Sequence, residues 1–492
     1  MKVDAFLARL NRFLWAATLV SLPVTSFRYF PFLNSGTVVR PLGLYPAALL
    51  TAVSILQIFR KKARFHRSPA LLLLGLFVLF ATAVTAFGAL YAPLGFTGNE
   101  YGGRALRAWV TMSIGLTFFW AAMWMNQDKS DLRFTLKWLF VGMVLNLLWS
   151  GVQTVALYTD YLPKNTVSGW QRLFSMRGMV GSKRISGLAY EPSWLTAQLN
   201  TIYIPWLFAA ILARYRLGAF RWLKYVLLLG ALALIVLAYS RGGLGTLLLS
   251  SILTFLLTGR ELGRDAWQWF CTPFRSAEEK SLAQRVRGLS IRFGVVTGTL
   301  ALLVACGYFF ANNRYINSLW SSRNENLLDF VINNYAGSRL AYAWAAMDTF
   351  QEYPFTGVGL GASGFYLFDR LPDWSFTSLY QIVWQFTPRG RFYLNPKNLY
   401  VRLLAETGIV GLTLFLGFYV YLLGSIRSFL RTNRPFFRFV GIAALFSWLA
   451  ILTICLTQDS LATPNLWINP GILGGVSTGL ALESPLQAQP KE

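Results

Sequence analysis

YVLLLGALALIVLAYSRGGLGTLLLSSILTFLL, residues 225–257, decides the fold, because two apolar runs flank a turn that holds Arg241 and two glycines. Each run is long enough to cross most of a bilayer. An arginine at such a turn is costly unless an anion meets it. Its planar fork of donors, with the free N–H groups of the next helix, suits a substrate phosphate, although Arg241 is also placed to anchor a helix end among lipid headgroups.

The composition predicts that this helical hairpin belongs to a polytopic membrane protein. Of the 492 residues, 55% are hydrophobic and 13% are charged, and the mean hydropathy is +0.46, which excludes a soluble enzyme with one anchor. No cleavable signal peptide is expected. Apolar segments of spanning length predict an all-α fold of about twelve transmembrane helices, near residues 12–34, 42–59, 69–91, 105–125, 135–157, 194–213, 222–239, 242–258, 292–312, 399–424, 436–457 and 466–482.

Basic residues set the orientation of these spans. The turn after span 2 carries Arg60, Lys61, Lys62 and Arg64, so the positive-inside rule places it and both termini in the cytoplasm. The outer loops still hold more basic than acidic residues, which indicates an anionic ligand there, or contact with anionic headgroups. The one histidine, His66, falls on the cytoplasmic side, so this topology excludes histidine catalysis on the outer face.

The predicted spans divide the chain into three parts: spans 1–9 at residues 1–312, a large extracytoplasmic loop with short helices at residues 313–397, and spans 10–12 at residues 398–492. Residues 327–352 of that loop have a helical pattern. The glycine-rich turn at 357–361 has no preceding strand, so dinucleotide binding is rejected. No disulfide framework or metal-ligand spacing is present, and neither a metal nor a cofactor is predicted.

Ionisable residues stand at other points where the chain enters the membrane. Glu191 precedes Pro192 at the start of span 6, where the helix dipole stabilises a carboxylate. It is placed to accept a proton from a hydroxyl held above the membrane, or to cap the helix and pair with Arg184 or Arg241. At the start of span 10, Lys397 and Asn398 face the outer surface.

Arg402 and Glu406 follow within span 10 at a spacing of four residues. On a helix this spacing places the two side chains side by side, so they are expected to neutralise one another.

Four landmarks occur in order along the chain: Glu191-Pro192-Ser193 after a basic loop, Ser240-Arg241-Gly242-Gly243 between two spans, the large loop, and Asn398 followed by Ala405-Glu406-Thr407-Gly408-Ile409-Val410-Gly411. As an ordered set they resemble the bacterial O-antigen ligase and polysaccharide polymerase superfamily. The resemblance implies an all-helical, GT-C-like protein of the bacterial inner membrane, with an outward-facing site between the membrane bundle and the large loop. It also implies metal-independent transfer of a glycan from a polyprenyl pyrophosphate carrier to a sugar hydroxyl.

Lys397 departs from the pattern of the superfamily's ligases, which typically carry a histidine just before the asparagine. The resemblance therefore favours a polymerase that extends a lipid-linked chain. Glu191-Pro192-Ser193 is also more similar to polymerases of exopolysaccharide clusters.

This chemistry assigns roles to the candidate residues. Breaking a sugar–pyrophosphate bond requires stabilisation of the charge that grows on the leaving group, and an acceptor hydroxyl needs a general base. Displacement in one step would invert the anomeric configuration. The predicted catalytic residues are Glu191 (the base), Arg241 and Lys397, and the predicted substrate-binding residues are Arg184, Arg241, Arg339, Lys397 and Asn398.

Two alternatives remain beside the polymerase. One is a ligase that moves the glycan onto a lipid or protein acceptor. The other is a glycolipid transporter or flippase, which should carry charges at mid-membrane depth. The partners expected are the polyprenyl-pyrophosphate-linked oligosaccharide, a glycan acceptor and membrane lipid, together with a chain-length regulator and a flippase of the same pathway. No nucleic acid is expected.

Overall fold

The structure is a computed structural model that describes residues 2–29, 37–60, 68–95, 98–179, 183–218, 220–275, 282–311, 326–333, 336–385, 387, 393–432 and 434–483. The basic turn at residues 61–67, with His66, lies outside the described residues.

Helices form wherever the sequence has an apolar run, and the described residues contain no β-strand, only two isolated bridges. In chain order the helices are α1 (Lys2–Ser21), α2 (Leu44–Phe59), α3 (Pro69–Gly88), α4 (Tyr101–Trp124), α5 (Lys129–Tyr158), α6 (Lys164–Phe174), α7 (Pro192–Gln198), α8 (Ile204–Leu212), α9 (Leu223–Leu237), α10 (Arg241–Thr258), α11 (Arg260–Arg275), α12 (Leu282–Ala311), α13 (Leu327–Asn333), α14 (Gly337–Glu352), α15 (Asp373–Ser378), α16 (Tyr380–Gln385), α17 (Leu399–Arg431), α18 (Pro435–Ile454) and α19 (Ile468–Glu483).

The prediction of an all-α polytopic membrane protein is confirmed. Seven described stretches are long and apolar enough to span a membrane: Pro69–Tyr91, Tyr101–Trp124, Lys129–Tyr158, Pro192–Leu212, Arg241–Thr258, Leu399–Arg431 and Pro435–Ile454. Two shorter apolar helices, Leu44–Phe59 and Leu223–Leu237, accompany them. The count of twelve spans stays a prediction.

The chain packs as two units. One unit comprises Met1–Ser251 and Arg339–Glu492, and it contains every candidate site residue. The other is Ile252–Ser338, in which the Arg292 Nε of α12 donates to the Trp269 carbonyl of α11 over 2.9 Å. The division into parts at residues 312 and 397 stays a prediction.

Aromatic side chains fill the core of the first unit. Phe77 of α3 meets Phe415 of α17 at 5.3 Å between ring centroids, and Phe119 of α4 meets Phe418 at 5.4 Å. Trp467 lies against Phe119 at 6.4 Å and is fully buried. Helix α17 therefore packs against both α3 and α4 within this unit.

Two irregular turns interrupt the long helices of the first unit. Leu199–Tyr203 forms a π-helical turn between α7 and α8. In α17, Gly408 has φ 63° and ψ −170°, which breaks the helix near its start. Such features need outside partners for the freed backbone groups, and often occur at functional sites.

Candidate functional site

The Arg241 turn is a tight connection between α9 and α10. Tyr239 has a positive φ of 46°, and α10 begins at Arg241 itself. The Ser240 Oγ accepts the Gly243 N–H at 3.2 Å, which satisfies one of the free donors of the first helical turn. This local geometry places the arginine at the helix N-terminus, as the sequence predicted.

Gly243 docks this turn against the start of α7. A Cβ at Gly243 would lie 2.4 Å from the Thr196 Oγ1, so a side chain there would collide. The Asn200 Nδ2 donates to the Gly243 carbonyl over 2.8 Å, from the π-helical turn that follows α7. The glycine thus permits a close approach between two helix N-termini.

Arg184 lies beside the same turn. Its Nε donates to the Ala238 carbonyl over 3.0 Å, and the Ile185 N–H donates to the Leu237 carbonyl over 3.2 Å. Carbonyls at the end of a helix lack partners within it, so the segment that carries Arg184 completes the end of α9. From the other side, the Gln153 Oε1 of α5 accepts the Gly187 N–H at 2.8 Å.

Glu191 stands just before Pro192, the first residue of α7, as the sequence predicted. Its Oε1 lies 3.3 Å from the Arg177 Nη1, and its Oε2 accepts the Ser193 hydroxyl at 3.3 Å. The sequence predicted Arg184 or Arg241 as the ion-pair partner, whereas the structure pairs Glu191 with Arg177. Both side chains of this pair are 40% exposed, so the carboxylate remains accessible.

Lys397 has an unusual backbone conformation and two different contacts. Its φ is 54°, in the left-handed region that few residues other than glycine adopt. Its N–H donates to the Asp459 Oδ2 over 3.0 Å, which holds this conformation in place. The Nζ lies 4.9 Å from the centre of the Tyr342 ring, close enough for a cation–π interaction.

Charges from three segments act on Lys397. Burial lowers the pKa of its ammonium group, because the charged form loses solvation, and Arg339 lowers it further. Asp459 and Glu191 oppose this by favouring the charged form. An ammonium with a lowered pKa between carboxylates and an arginine is a typical feature of functional sites.

Asn398 and the residues after it stabilise the first turn of α17. The Asn398 Oδ1 accepts the N–H groups of Tyr400 at 3.0 Å and Val401 at 3.2 Å. The oxygen of this side chain is therefore committed to capping, and a predicted contact with substrate would use its amide nitrogen. The predicted pairing of Arg402 with Glu406 is confirmed at 3.0 Å.

A series of contacts within the first unit links the segments that carry the six predicted site residues. Arg184 and Arg241 border the end of α9, and Glu191 directly precedes α7, which contacts the Arg241 turn through Thr196. Lys397 interacts with both Glu191 and Arg339, and Asn398 adjoins it. A Cβ at Gly242 would lie 3.9 Å from the hydroxyl of Thr457, two residues before the Asp459 that binds Lys397.

Sequence reasoning missed Asp459 as part of this site. It is the only charged residue between α18 and α19, so a lone carboxylate in a short loop on the same predicted side as Lys397 was the available signal. Tyr342 gave no comparable signal, because nothing in the pattern of α14 distinguishes it from other buried aromatics. Within the described ranges, no group of His, Cys, Asp and Glu could hold a metal ion, and metal independence stays a prediction.

Known families offer a comparison for this arrangement. Residues 225–416 match the family described as O-antigen ligase, a range that includes Arg241, Arg339, Lys397 and Asn398. No curated protein matches the chain. With the ordered motifs and the all-α membrane fold, the match over residues 225–416 supports the similarity of this chain to the O-antigen ligase and polysaccharide polymerase superfamily.

Proposed function

We propose that this chain is a glycosyltransferase that polymerises polyprenyl-pyrophosphate-linked oligosaccharide repeats on the outer face of the bacterial inner membrane. The observation that carries the proposal is an accessible carboxylate, Glu191, that pairs with Arg177 and lies close enough to Lys397 to act on its charge, while Arg339 acts on Lys397 from another segment. The family match supports ligase or polymerase chemistry in general. Neither a nucleotide sugar nor a metal is needed for this transfer.

The basic residues would bind the pyrophosphate and stabilise its developing charge. Arg241 has a planar fork of donors at a helix N-terminus, a favourable arrangement for a phosphate. Lys397 adds an ammonium group held by a fixed backbone, with Arg339 and Arg184 on neighbouring segments. Because the charge on pyrophosphate grows as the glycosidic bond breaks, cations positioned in advance stabilise the transition state more than the ground state.

Glu191 would accept the proton of the acceptor hydroxyl. The Glu191 carboxylate is half exposed and paired with Arg177 over 3.3 Å, so an incoming hydroxyl can reach it. The acceptor oxygen would bond to the anomeric carbon as the bond to the pyrophosphate oxygen breaks, and the configuration would invert. The lipid pyrophosphate leaves with the bonding electrons.

A ligase that transfers the glycan to a lipid or protein acceptor is the second candidate, favoured by the description of the matched family. Lys397 at the position where ligases of the superfamily typically carry a histidine supports the polymerase instead. The two candidates share a donor and differ only in the acceptor.

The test is an assay of purified protein with a synthetic polyprenyl-pyrophosphate oligosaccharide, read by gel and mass spectrometry. We expect a ladder of longer lipid-linked products. Arg241→Ala should lower the rate about 10²- to 10³-fold, while Arg107→Ala, an exposed arginine of α4, should leave it near the parent's. Glu191→Gln should lower it about 10²- to 10⁴-fold, and Arg177→Gln by less than about tenfold, because only Glu191 takes the proton.

Other outcomes have definite meanings. Transfer only to an added lipid or protein acceptor would replace the polymerase by the ligase. Equal losses of rate in Glu191→Gln and Arg177→Gln would mean that Glu191 acts only as a partner in the ion pair and not as the base. The proposal of an enzyme would be wrong if matched substrates gave no product while liposomes showed the glycolipid crossing the bilayer.

A further inference from the structure

The buried pair of Arg402 and Glu406 has no part in the chemistry above. Both side chains are almost completely buried, with exposures of 9% and 0%, and the Nε–Oε2 distance is 3.0 Å. Each partner also forms a hydrogen bond to another segment of the chain. The Arg402 Nη1 donates to the Asp459 carbonyl over 2.8 Å, and the Glu406 Oε1 accepts the Ser363 hydroxyl at 2.8 Å.

The arginine side of the pair leads to Lys397. Arg402 holds the backbone of Asp459, and the Asp459 carboxylate in turn accepts the N–H of Lys397. Lys397 needs such a tether, because a positive φ in a residue with a side chain is costly and persists only when the surroundings enforce it. The Asp459 loop, residues 455–467 between α18 and α19, therefore fixes the backbone from which the Lys397 side chain extends.

The glutamate side leads to the glycine-rich loop, defined here as residues 354–364. Because Gly408 breaks α17, the carbonyls of Ala405 and Glu406 are free, and they accept the N–H groups of Val358 and Gly359, each at 2.9 Å. The Ile409 N–H donates to the Pro354 carbonyl over 2.8 Å. The glycine-rich loop thus replaces the helical partners that the break removes.

We propose that Arg402 and Glu406 form a positioning pair, which fixes Lys397 through the Asp459 loop and links it to the glycine-rich loop through Ser363. Neither residue touches the substrate. Their effect on turnover rests on the proposed function, whereas their effect on the Lys397 backbone does not. A pair that only neutralised charge would need no hydrogen bonds to two other segments.

The decisive variant replaces both partners, Arg402→Met with Glu406→Leu. Replacing a whole buried ion pair by apolar groups is often neutral for stability, so this variant removes the tethers without leaving an unpaired charge. We expect the Lys397 amide to exchange hydrogen about tenfold faster, by mass spectrometry of a peptide spanning residues 393–400. Turnover should fall about 10- to 100-fold, with a smaller change in KM, because the ammonium is misplaced rather than removed.

A second pair of variants covers the possibility that this double variant does not fold. Asp459→Ala removes only the acceptor for the Lys397 N–H and should reproduce both effects. Asp459→Asn keeps an oxygen at that position and should restore slow exchange and most of the turnover. The matched control is Arg12→Met with Asp131→Leu. This 3.8 Å pair joins α1 to the first turn of α5, so its removal should leave the Lys397 exchange unchanged.

Two results would overturn the positioning role. One is a folded double variant, or Asp459→Ala, whose Lys397 exchange equals the parent's. The other is faster exchange with unchanged turnover. If the parent itself makes no product, the proposed function fails, but the exchange comparison still decides whether the pair positions Lys397.

Discussion

Two arginine–glutamate pairs lie in the same unit and differ in almost every physical respect. Arg177 and Glu191 are 40% exposed, lie 3.3 Å apart and both come from the segment between α6 and α7. Arg402 and Glu406 are 9% and 0% exposed, lie 3.0 Å apart and share one helix. Charge and residue type are the same, so burial and the surrounding hydrogen bonds account for the difference between them.

The difference teaches which pair can take part in chemistry. An exposed ion pair contributes only about 0–1 kcal/mol, because water solvates each partner when the pair opens. Glu191 can therefore leave Arg177 and accept a proton from a hydroxyl at little cost. Glu406 has no such freedom, since its Oε1 is bound to Ser363 and its Oε2 to Arg402, away from solvent.

The largest expected effect is the loss of stability when the arginine of the buried pair is removed, compared with removal of the arginine of the exposed pair. Arg402→Met leaves the Glu406 carboxylate buried without its counterion, and should lower the free energy of unfolding by about 3–5 kcal/mol. Arg177→Met is the matched control and should lower it by about 1 kcal/mol or less. The measurement is the midpoint of denaturant unfolding in mixed micelles. Equal losses would show that burial does not distinguish the two pairs.

The pairing of Arg402 with Glu406 could be predicted from the sequence, because a spacing of four residues on a helix fixes the neighbours. The apolar runs predicted the membrane helices for a similar reason: both signals are local. The candidate site residues could also be selected from the sequence, since arginine, lysine and glutamate at the mouths of apolar helices are rare, and their roles stay predictions.

Contacts between distant segments could not be predicted. The sequence left the Glu191 partner among Arg184 and Arg241, and only the folded loop shows Arg177. The rejection of dinucleotide binding at the glycine-rich turn stays a prediction, and nothing in the sequence indicated that the turn's partner is the broken backbone of α17, about 50 residues later in the chain. The break at Gly408 leaves no local signal, because a glycine within a long apolar helix is common in membrane proteins.

The break offers a second way to sharpen the comparison, because it lies two residues after the buried pair. Gly408→Ala places a side chain at φ 63° and a Cβ 2.2 Å from the Phe355 carbonyl oxygen, so it should cost about 1–3 kcal/mol of stability. Gly424→Ala, in the same helix with open space around it, should be neutral or stabilise by up to about 1 kcal/mol. Unfolding in mixed micelles measures both. A Gly408→Ala protein as stable as the parent would mean that the loop does not depend on the break.

The smallest expected effect is a shift in the pH dependence of kcat/KM, which reports ionisations of the free enzyme near the accessible pair. If Lys397 must carry a proton to bind pyrophosphate, activity falls as the pH rises through its pKa. Arg339 lowers the pKa of Lys397, so Arg339→Gln should move the alkaline limb to higher pH. Asp459 raises it, so Asp459→Asn should move the limb to lower pH.

Opposite shifts from two single substitutions are difficult to produce by general destabilisation, which would act in one direction. Arg107→Gln, an exposed arginine of α4, should leave the limb in place. If both variants move the limb the same way, or neither moves it, another group titrates and Lys397 is not the ammonium that meets the pyrophosphate. If the two variants shift the limb in opposite directions, the charges near Glu191 tune the binding of pyrophosphate by Lys397. The buried pair of Arg402 and Glu406 then acts only by holding the backbone of Lys397.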